Sequence, residues 1–457
     1  MGLRTAYRER RLSPVEVVSA VIDRIVARDS ELHSFETTTF DLAMEAAKRA
    51  ERAYADGDAG ELAGVPITLK DLTPTRGVRT TLGSLTRKDW IPDFDVPVVE
   101  RLRGAGAAVL GKTSTPEFGW KAASGNRLSA RTVNPWNHAL TPGGSSSGAG
   151  AGLAAGLGYL AQGSDGAGSV RIPASFCAVV GMKPSYGLIP HYPVALIGRL
   201  SHLGPMARTV RDCALMLDVM QGADPRDPDS WTSISRFQEL EDGPRLRIGW
   251  VSDLGYARAD PDVEEVFLTA LEHFVRLGHE VREVKWDLPD PYEELITVWS
   301  SGMAAHHSAT FAADAPLIDQ GRRVLVERGF GVRGTDISAA SRMFAEYHDA
   351  VRGLMTGVDV LVTPTVPCAP FPVEEDFPDM PGRPDPLGWA IYTYPFNITG
   401  QPAISVPCGS DRNGMPVGLQ IVGPWRRDDL VLRLARAFED SRGPWTYPND
   451  RSQQNEQ

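Results

Sequence analysis

Two glycine- and serine-rich runs, Gly143-Gly144-Ser145-Ser146-Ser147-Gly148 and Gly163-Ser164-Asp165-Gly166-Ala167-Gly168-Ser169, decide how the chain is read. Gly144–Gly148 formally fits a G-x-S-x-G nucleophile elbow centred on Ser146. That elbow needs a strand directly before it, and Leu140-Thr141-Pro142-Gly143 reads as a turn. No Gly-Lys-Ser/Thr follows, so the run is no phosphate loop either. A flexible loop without chemistry is the competing reading. The second run weighs against it. Consecutive small residues let the backbone approach a substrate and leave N–H groups free to converge, as a tetrahedral oxyanion requires. Ser169, at the end of that run, stands where an attacking hydroxyl belongs. A serine needs a base. None of the nine histidines falls in a pairing motif. Lys70 is the best placed of the lysines, since burial would lower its pKa, although a strand-end lysine can equally snorkel to solvent.

Outward from these runs, Ser13-Pro14-Val15-Glu16 is a capping box that opens a helix through Val17, Val21, Ile22 and Ile25. A second helix is expected over 41–55. Val65 to Leu69 reads as a buried strand delivering Lys70, followed by a helix over 98–103 and a strand over 107–110. Within the runs themselves, 150–156 reads as helix and 159–161 as strand. Further strands are expected at 246–251, 280–286, 360–363 and 403–406, with helices at 262–277 and 428–438. Strand alternating with helix argues for α/β layers, helices lying on both faces of a sheet. The strand-poor stretch 290–350 reads as a helical lid or insert. The chain is read as one domain (1–457) with N-terminal helices in 1–60, a core over 61–215 and a frayed tail at 450–457.

Bulk properties exclude several classes. With 457 residues, 42% hydrophobic and 23% charged, the chain is an ordinary globular protein. Its net charge of −11 speaks against a general nucleic-acid surface. Cys177, Cys213, Cys368 and Cys408 form no zinc or redox pair, which fits a reducing cytoplasm. No signal peptide or membrane span is apparent.

Taken in order, Gly64 to Asp71, Thr141 to Gly148, Gly163 to Pro173, Gly204 to Val210, Asn397 to Ala403 and Gly418 to Gly423 resemble the amidase-signature family over nearly the whole chain. The spacing of Ser145 and Ser169, 169 − 145 = 24 positions, suits that family's serine pair. The resemblance implies a single α/β amidase-signature domain with a mixed central sheet. It implies Ser169 as acyl-enzyme nucleophile, Ser145 as a bridging serine after a cis peptide bond, and Lys70 as general base. The N–H groups of Gly166, Ala167, Gly168 and Ser169 would form the oxyanion hole, supported by Ser146, Asp165 and Arg171. No metal or organic cofactor is called for. Ala167 stands where a glycine is usual, and a positive φ there would strain it. Gly166 stands where a larger residue is usual, and Ser164 replaces a common threonine.

The segment Phe118 to Ala122 is implied to line the acyl pocket, with Gly119, Trp120 and Lys121 as substrate-binding residues. Trp299, Met303, His306 and His307 are expected to cover the site, with Tyr392 or Tyr394 approaching it. The implied substrate is a small neutral amide, aryl or aliphatic, with carbamates and esters within reach; a faint similarity to urethane-cleaving members adds to this. The alternative is the glutamine-using subunit of a tRNA-dependent amidotransferase complex. The sequence does not disclose the oligomeric state.

Overall fold

A computed structural model describes residues 2–241 and 243–448; the tail read as frayed lies outside the described residues. Eleven strands form one mixed sheet: β1 (Phe35–Thr38), β2 (Pro66–Lys70), β3 (Ala108–Thr113), β4 (Leu160–Asp165), β5 (Val180–Lys183), β6 (His202–Ala207), β7 (Arg247–Trp250), β8 (Glu280–Glu283), β9 (Val360–Pro364), β10 (Ala403–Ser410) and β11 (Pro416–Val422). Their order is β1-β3-β2-β4-β6-β5-β10-β11-β9-β7-β8. The runs β3-β2-β4 and β9-β7-β8 are parallel, and the strands between and beside them pair antiparallel.

Both faces are covered, and the period-two alternation of the strands shows it. Val360 and Val362 of β9 enter one apolar cluster with helices Val210–Met220, Pro261–Arg276 and Asp428–Arg442. Leu361, between them, enters the other, with Trp299 and Trp389. The first long helix, Pro14–Leu32, starts at the expected capping box: Val15 N–H donates to Ser13 Oγ at 3.0 Å, and Ser13 N–H to Glu16 Oε2 at 3.0 Å. The stretch 290–350 holds helices Tyr292–His306, Phe311–Asp314, Gln320–Phe330 and Gly334–Leu354. Among the described residues, no helix is long and apolar enough to cross a membrane.

Four strands lack a sequence signal: β1, β5, β6 and β11. In β6 the reason is packing. A side chain at Gly204 would put a Cβ 2.1 Å from the Met182 carbonyl oxygen, so glycine is required there, and Pro205 beside it further disguises a central strand. The helix expected over 150–156 runs from Ser147–Ala154, and the strand expected at 159–161 extends as β4 to Asp165. The strand expected over 280–286 ends at Glu283.

Candidate active site

The parallel pairing of β2 with β4, Leu69 opposite Gln162, brings their carboxyl ends to the same edge. Lys70 ends β2 and Asp165 ends β4. Ser145 lies just before helix Ser147–Ala154, and Ser169 just before helix Arg171–Cys177. Both helices are buried throughout, which small residues make feasible: a Cβ at Gly148 would lie 2.1 Å from Ser34 O, and one at Gly150 2.9 Å from Pro173 Cβ.

Lys70 is fully buried, its Nζ 2.7 Å from Ser145 Oγ and 3.0 Å from Ser164 Oγ. Burial lowers its pKa from the usual lysine range to about 7, against the opposing pull of Asp165. The Gly144–Ser145 peptide bond is cis. Ser146 ties the two serine runs together: its N–H donates to Ser169 O at 3.1 Å and its Oγ to Ser164 O at 3.3 Å. Ser164 and Gln162 carry no sequence signal as partners of Lys70, yet Gln162 Oε1 accepts from Lys70 N–H at 3.3 Å and from Thr73 Oγ at 2.7 Å.

The segment 165–171 is held by a buried ion pair, Arg171 Nη2 to Asp165 Oδ1 at 2.9 Å. Burial alone would raise the Asp165 pKa; the Arg171 guanidinium and the Asn397 amide instead hold it well below the usual carboxylate range. Arg171 also donates to Gln420 Oε1 at 2.7 Å, Asn397 Oδ1 at 2.6 Å and Thr393 O at 3.0 Å. This network corrects one expectation. The Gly168 N–H donates to Asp165 Oδ1 at 2.7 Å and is therefore not a free oxyanion donor. The N–H groups of Gly166, Ala167 and Ser169 have no acceptor among the described residues. The positive φ falls at Gly168 (125°) and not at Ala167, so alanine is unstrained there. A Cβ at Gly168 would stand 2.4 Å from Thr393 Oγ, whose hydroxyl donates to Ala167 O at 2.6 Å.

Ser145, Ser169, Ser164 and Gly166 open onto a cavity of about 480 Å³. Gly119 lines it, and a Cβ there would lie 3.0 Å from Ser145 Oγ. Trp120 and Lys121 do not. Trp120 packs on Gly321, and the buried Lys121 pairs with Asp376. Phe118, Trp299, Met303 and His306 contribute walls, whereas His307, Tyr392 and Tyr394 stay outside the lining. Two walls fall outside the sequence expectations: residues of the stretch 72–96, among them Leu72, Leu82 and Trp90, and the stretch from His191 through Leu203, with a cis Tyr192–Pro193 bond. The only sequence signal of the second is an apolar, proline-bearing run lacking strand or helix periodicity.

The comparisons with known proteins fit this geometry. The family model described as Amidase matches residues 16–432. The chain belongs to the amidase family. It is 40% identical to an acylamidase of Rhodococcus erythropolis over 95% of this chain and 93% of that protein. It is 35% identical to a glutamyl-tRNA(Gln) amidotransferase subunit of a Cyanothece species, over 95% of each. Among solved structures, a bacterial aryl acylamidase of the amidase-signature enzymes superposes with a TM-score of 0.91 at 29% identity, covering 96% of this chain and 95% of that one. A 6-aminohexanoate cyclic dimer hydrolase bound to substrate gives 0.88 at 30% identity, over 96% of each. For an amidase, the buried Arg322 is a further wall residue without sequence signal. It stacks over Phe118 at 4.3 Å, donates to His307 Nε2 at 2.8 Å and lies 3.6 Å from Glu117.

Proposed function

We propose that this amidase hydrolyses the C–N bond of small neutral amides through an acyl-enzyme on Ser169. The observation carrying the reading is a fully buried lysine, its pKa lowered to about 7, within 2.7 Å of Ser145 Oγ, which lines a mostly apolar cavity. Neutral Lys70 takes the Ser145 proton while Ser145 takes the Ser169 proton, and Ser169 Oγ bonds to the carbonyl carbon. The N–H groups of Gly166, Ala167 and Ser169 receive the oxyanion. As the C–N bond breaks, the proton returns through Ser145 to the leaving nitrogen and the amine departs. Water then attacks the acyl–Ser169 ester by the same relay, releasing the acid and restoring the hydroxyl. Carbamates and esters present a carbonyl that this relay also serves, so both are included as substrates. Four free thiols support a reducing, cytoplasmic setting.

The amidotransferase relatives support a second reading, glutamine hydrolysis within a multisubunit complex. Glutamine is a zwitterion whose charges need partners. The cavity wall is largely apolar, and of its two arginines Arg322 is engaged by Glu117 and His307 and Arg87 lies over the Trp90 ring, which favours the neutral substrate.

The test is hydrolysis of an anilide, a primary aliphatic amide, an aryl carbamate, a p-nitrophenyl ester and glutamine by the purified chain, each repeated with Ser169→Ala. The expected result is turnover of anilide or carbamate that falls about 10⁴-fold or more in the variant. Turnover of glutamine alone, or equal rates in the two proteins, would overturn the proposal.

A further inference from the structure

Two adjacent histidines, the last residue of helix Tyr292–His306 and the one after it, differ in what holds them. His307 has both ring nitrogens engaged, Nδ1 with Asp314 Oδ2 at 3.0 Å and Nε2 with Arg322 at 2.8 Å, and it stays outside the cavity lining. His306 lines the cavity. Its ring is fixed by Phe118, with centroids 4.4 Å apart, and edge-on by His307 at 4.9 Å. Among the described residues, neither of its nitrogens has a hydrogen-bond partner, and neither is sealed inside protein as His202 Nε2 is.

Trp299, Met303 and His306 all line the cavity, at the i, i+4, i+7 spacing of one helix face. Trp299 packs on Gly166, where a Cβ would stand 2.8 Å from its ring. At 1.5 Å per residue, His306 lies about 10 Å further along the helix. A substrate whose carbonyl meets the N–H groups of 166–169 therefore reaches His306 with a part other than its scissile amide. Burial, then His307, Arg322 and Arg87, hold the His306 pKa down to about 4 against the opposing pull of Asp314. At neutral pH the imidazole is uncharged, with one donor and one acceptor nitrogen. Covering such a group in a largely apolar cavity is unfavourable unless whatever covers it supplies hydrogen bonds. Arg87, also in the lining, is exposed and lies over Trp90, so it stays hydrated and does not demand an anion.

We propose that His306 is a specificity-determining residue that hydrogen-bonds an uncharged polar end of the substrate, a hydroxyl or carboxamide remote from the scissile amide, in preference to a hydrocarbon end. This assignment rests on the amide-hydrolase reading above. A hydroxyl both donates and accepts, so it suits either tautomer of the imidazole; a methyl group in its place leaves both nitrogens covered and unbonded.

The test measures kcat/KM for amides with a terminal hydroxyl, each paired with its methyl-ended counterpart, the hydroxyl being placed at increasing distance on the acyl side and on the amine side. Each pair is run with the wild type, with His306→Phe, which keeps an aromatic ring beside Phe118 but no nitrogen, and with His306→Gln, which keeps a donor and an acceptor. For the best-placed hydroxyl the wild type is expected to prefer that end about fivefold or more. His306→Phe is expected to lower the hydroxyl-to-methyl ratio about tenfold, through the hydroxyl substrate alone, while His306→Gln holds it within about threefold. A wild type that favours no hydroxyl position overturns the assignment, as does an unchanged ratio in His306→Phe. So does an equal loss on both members of a pair in the two variants, which would mark a structural role. Carboxylate-ended amides turned over more than about tenfold faster than hydroxyl-ended ones would overturn it in favour of charge recognition at Arg87. Wild-type enzyme with no Ser169-dependent turnover of either member of any pair would defeat the amide-hydrolase reading itself, a result distinct from all of these.

Discussion

The segment 143–171 and the stretch 191–197 line one cavity but are held in different ways. In the first, backbone presses on backbone: a Cβ at Gly144 would come 2.3 Å from Ala123 O, and the Asp165–Arg171 pair is wholly enclosed. In the second, Tyr192, Val194 and Leu196 leave 38%, 68% and 49% of their surface exposed. Groups that must meet charge as it develops need to be fixed beforehand, because reorganising them during reaction would cost what they contribute. Walls that only exclude water and shape a substrate tolerate change. The comparison therefore predicts large effects on kcat from below the substrate and modest effects on KM from above it.

The largest effect is expected at Lys70. Lys70→Ala should lower kcat about 10³-fold, within the range for loss of a general base. The wild-type pH profile sharpens this. The active form is the neutral amine, and burial lowers the pKa to about 7. Below that pH, kcat/KM should rise about tenfold per pH unit, and above it the profile should level off. A profile still climbing at the usual lysine pKa would mean that Lys70 is not desolvated in solution, and a flat one would remove it as the base.

Next come two neighbours with unequal expectations. Gly168→Ala places a side chain at φ 125° and 2.4 Å from Thr393 Oγ. It should cost about 3 kcal/mol in stability, read as a lower denaturation midpoint, and should also reduce kcat. Ala167→Gly adds backbone freedom and removes one buried methyl, and should cost less, about 1–2 kcal/mol. If the two variants behaved alike, the segment would not be as rigidly held as the Asp165 and Thr393 contacts imply.

The same division explains what the sequence discloses. Lys70, at the end of an apolar strand, and Ser169, at the end of a small-residue run, are legible as candidates from their local surroundings, whereas Ser145 and the roles of all three come only from the resemblance to the amidase-signature family. The occupied N–H of Gly168 is not legible, since it depends on which way the Asp165 carboxylate turns. Nor is the fate of Gly119, Trp120 and Lys121. Phe118 has a φ of 50° and Gly119 of 71°, and after that turn Trp120 and Lys121 face away from the cavity. Adjacent positions in a short turn carry no period from which a side could be read. Strands β5 and β6 are hidden by Gly181, Gly204, Pro205 and Lys183, residues that serve close packing and buried hydrogen bonds over strand propensity. The walls at 191–203 and 322 lie far along the chain from the serines, and only the folded topology brings them together.

The smallest effect is expected at Val194, which lines the cavity and is also more than half exposed. Val194→Ser removes apolar surface from a wall without touching the serine runs or the Asp165 network. Stability should change by no more than about 0.5 kcal/mol, as for surface positions generally. For an apolar anilide, KM should rise about two- to threefold with kcat nearly unchanged, because the lost contact is made equally in the ground and transition states. Steady-state kinetics on one substrate is enough to read it. A fall of about 100-fold in kcat would show that the loop helps fix the reacting groups, and the contrast between a rigid base and tolerant walls would then fail at the position where tolerance should be greatest.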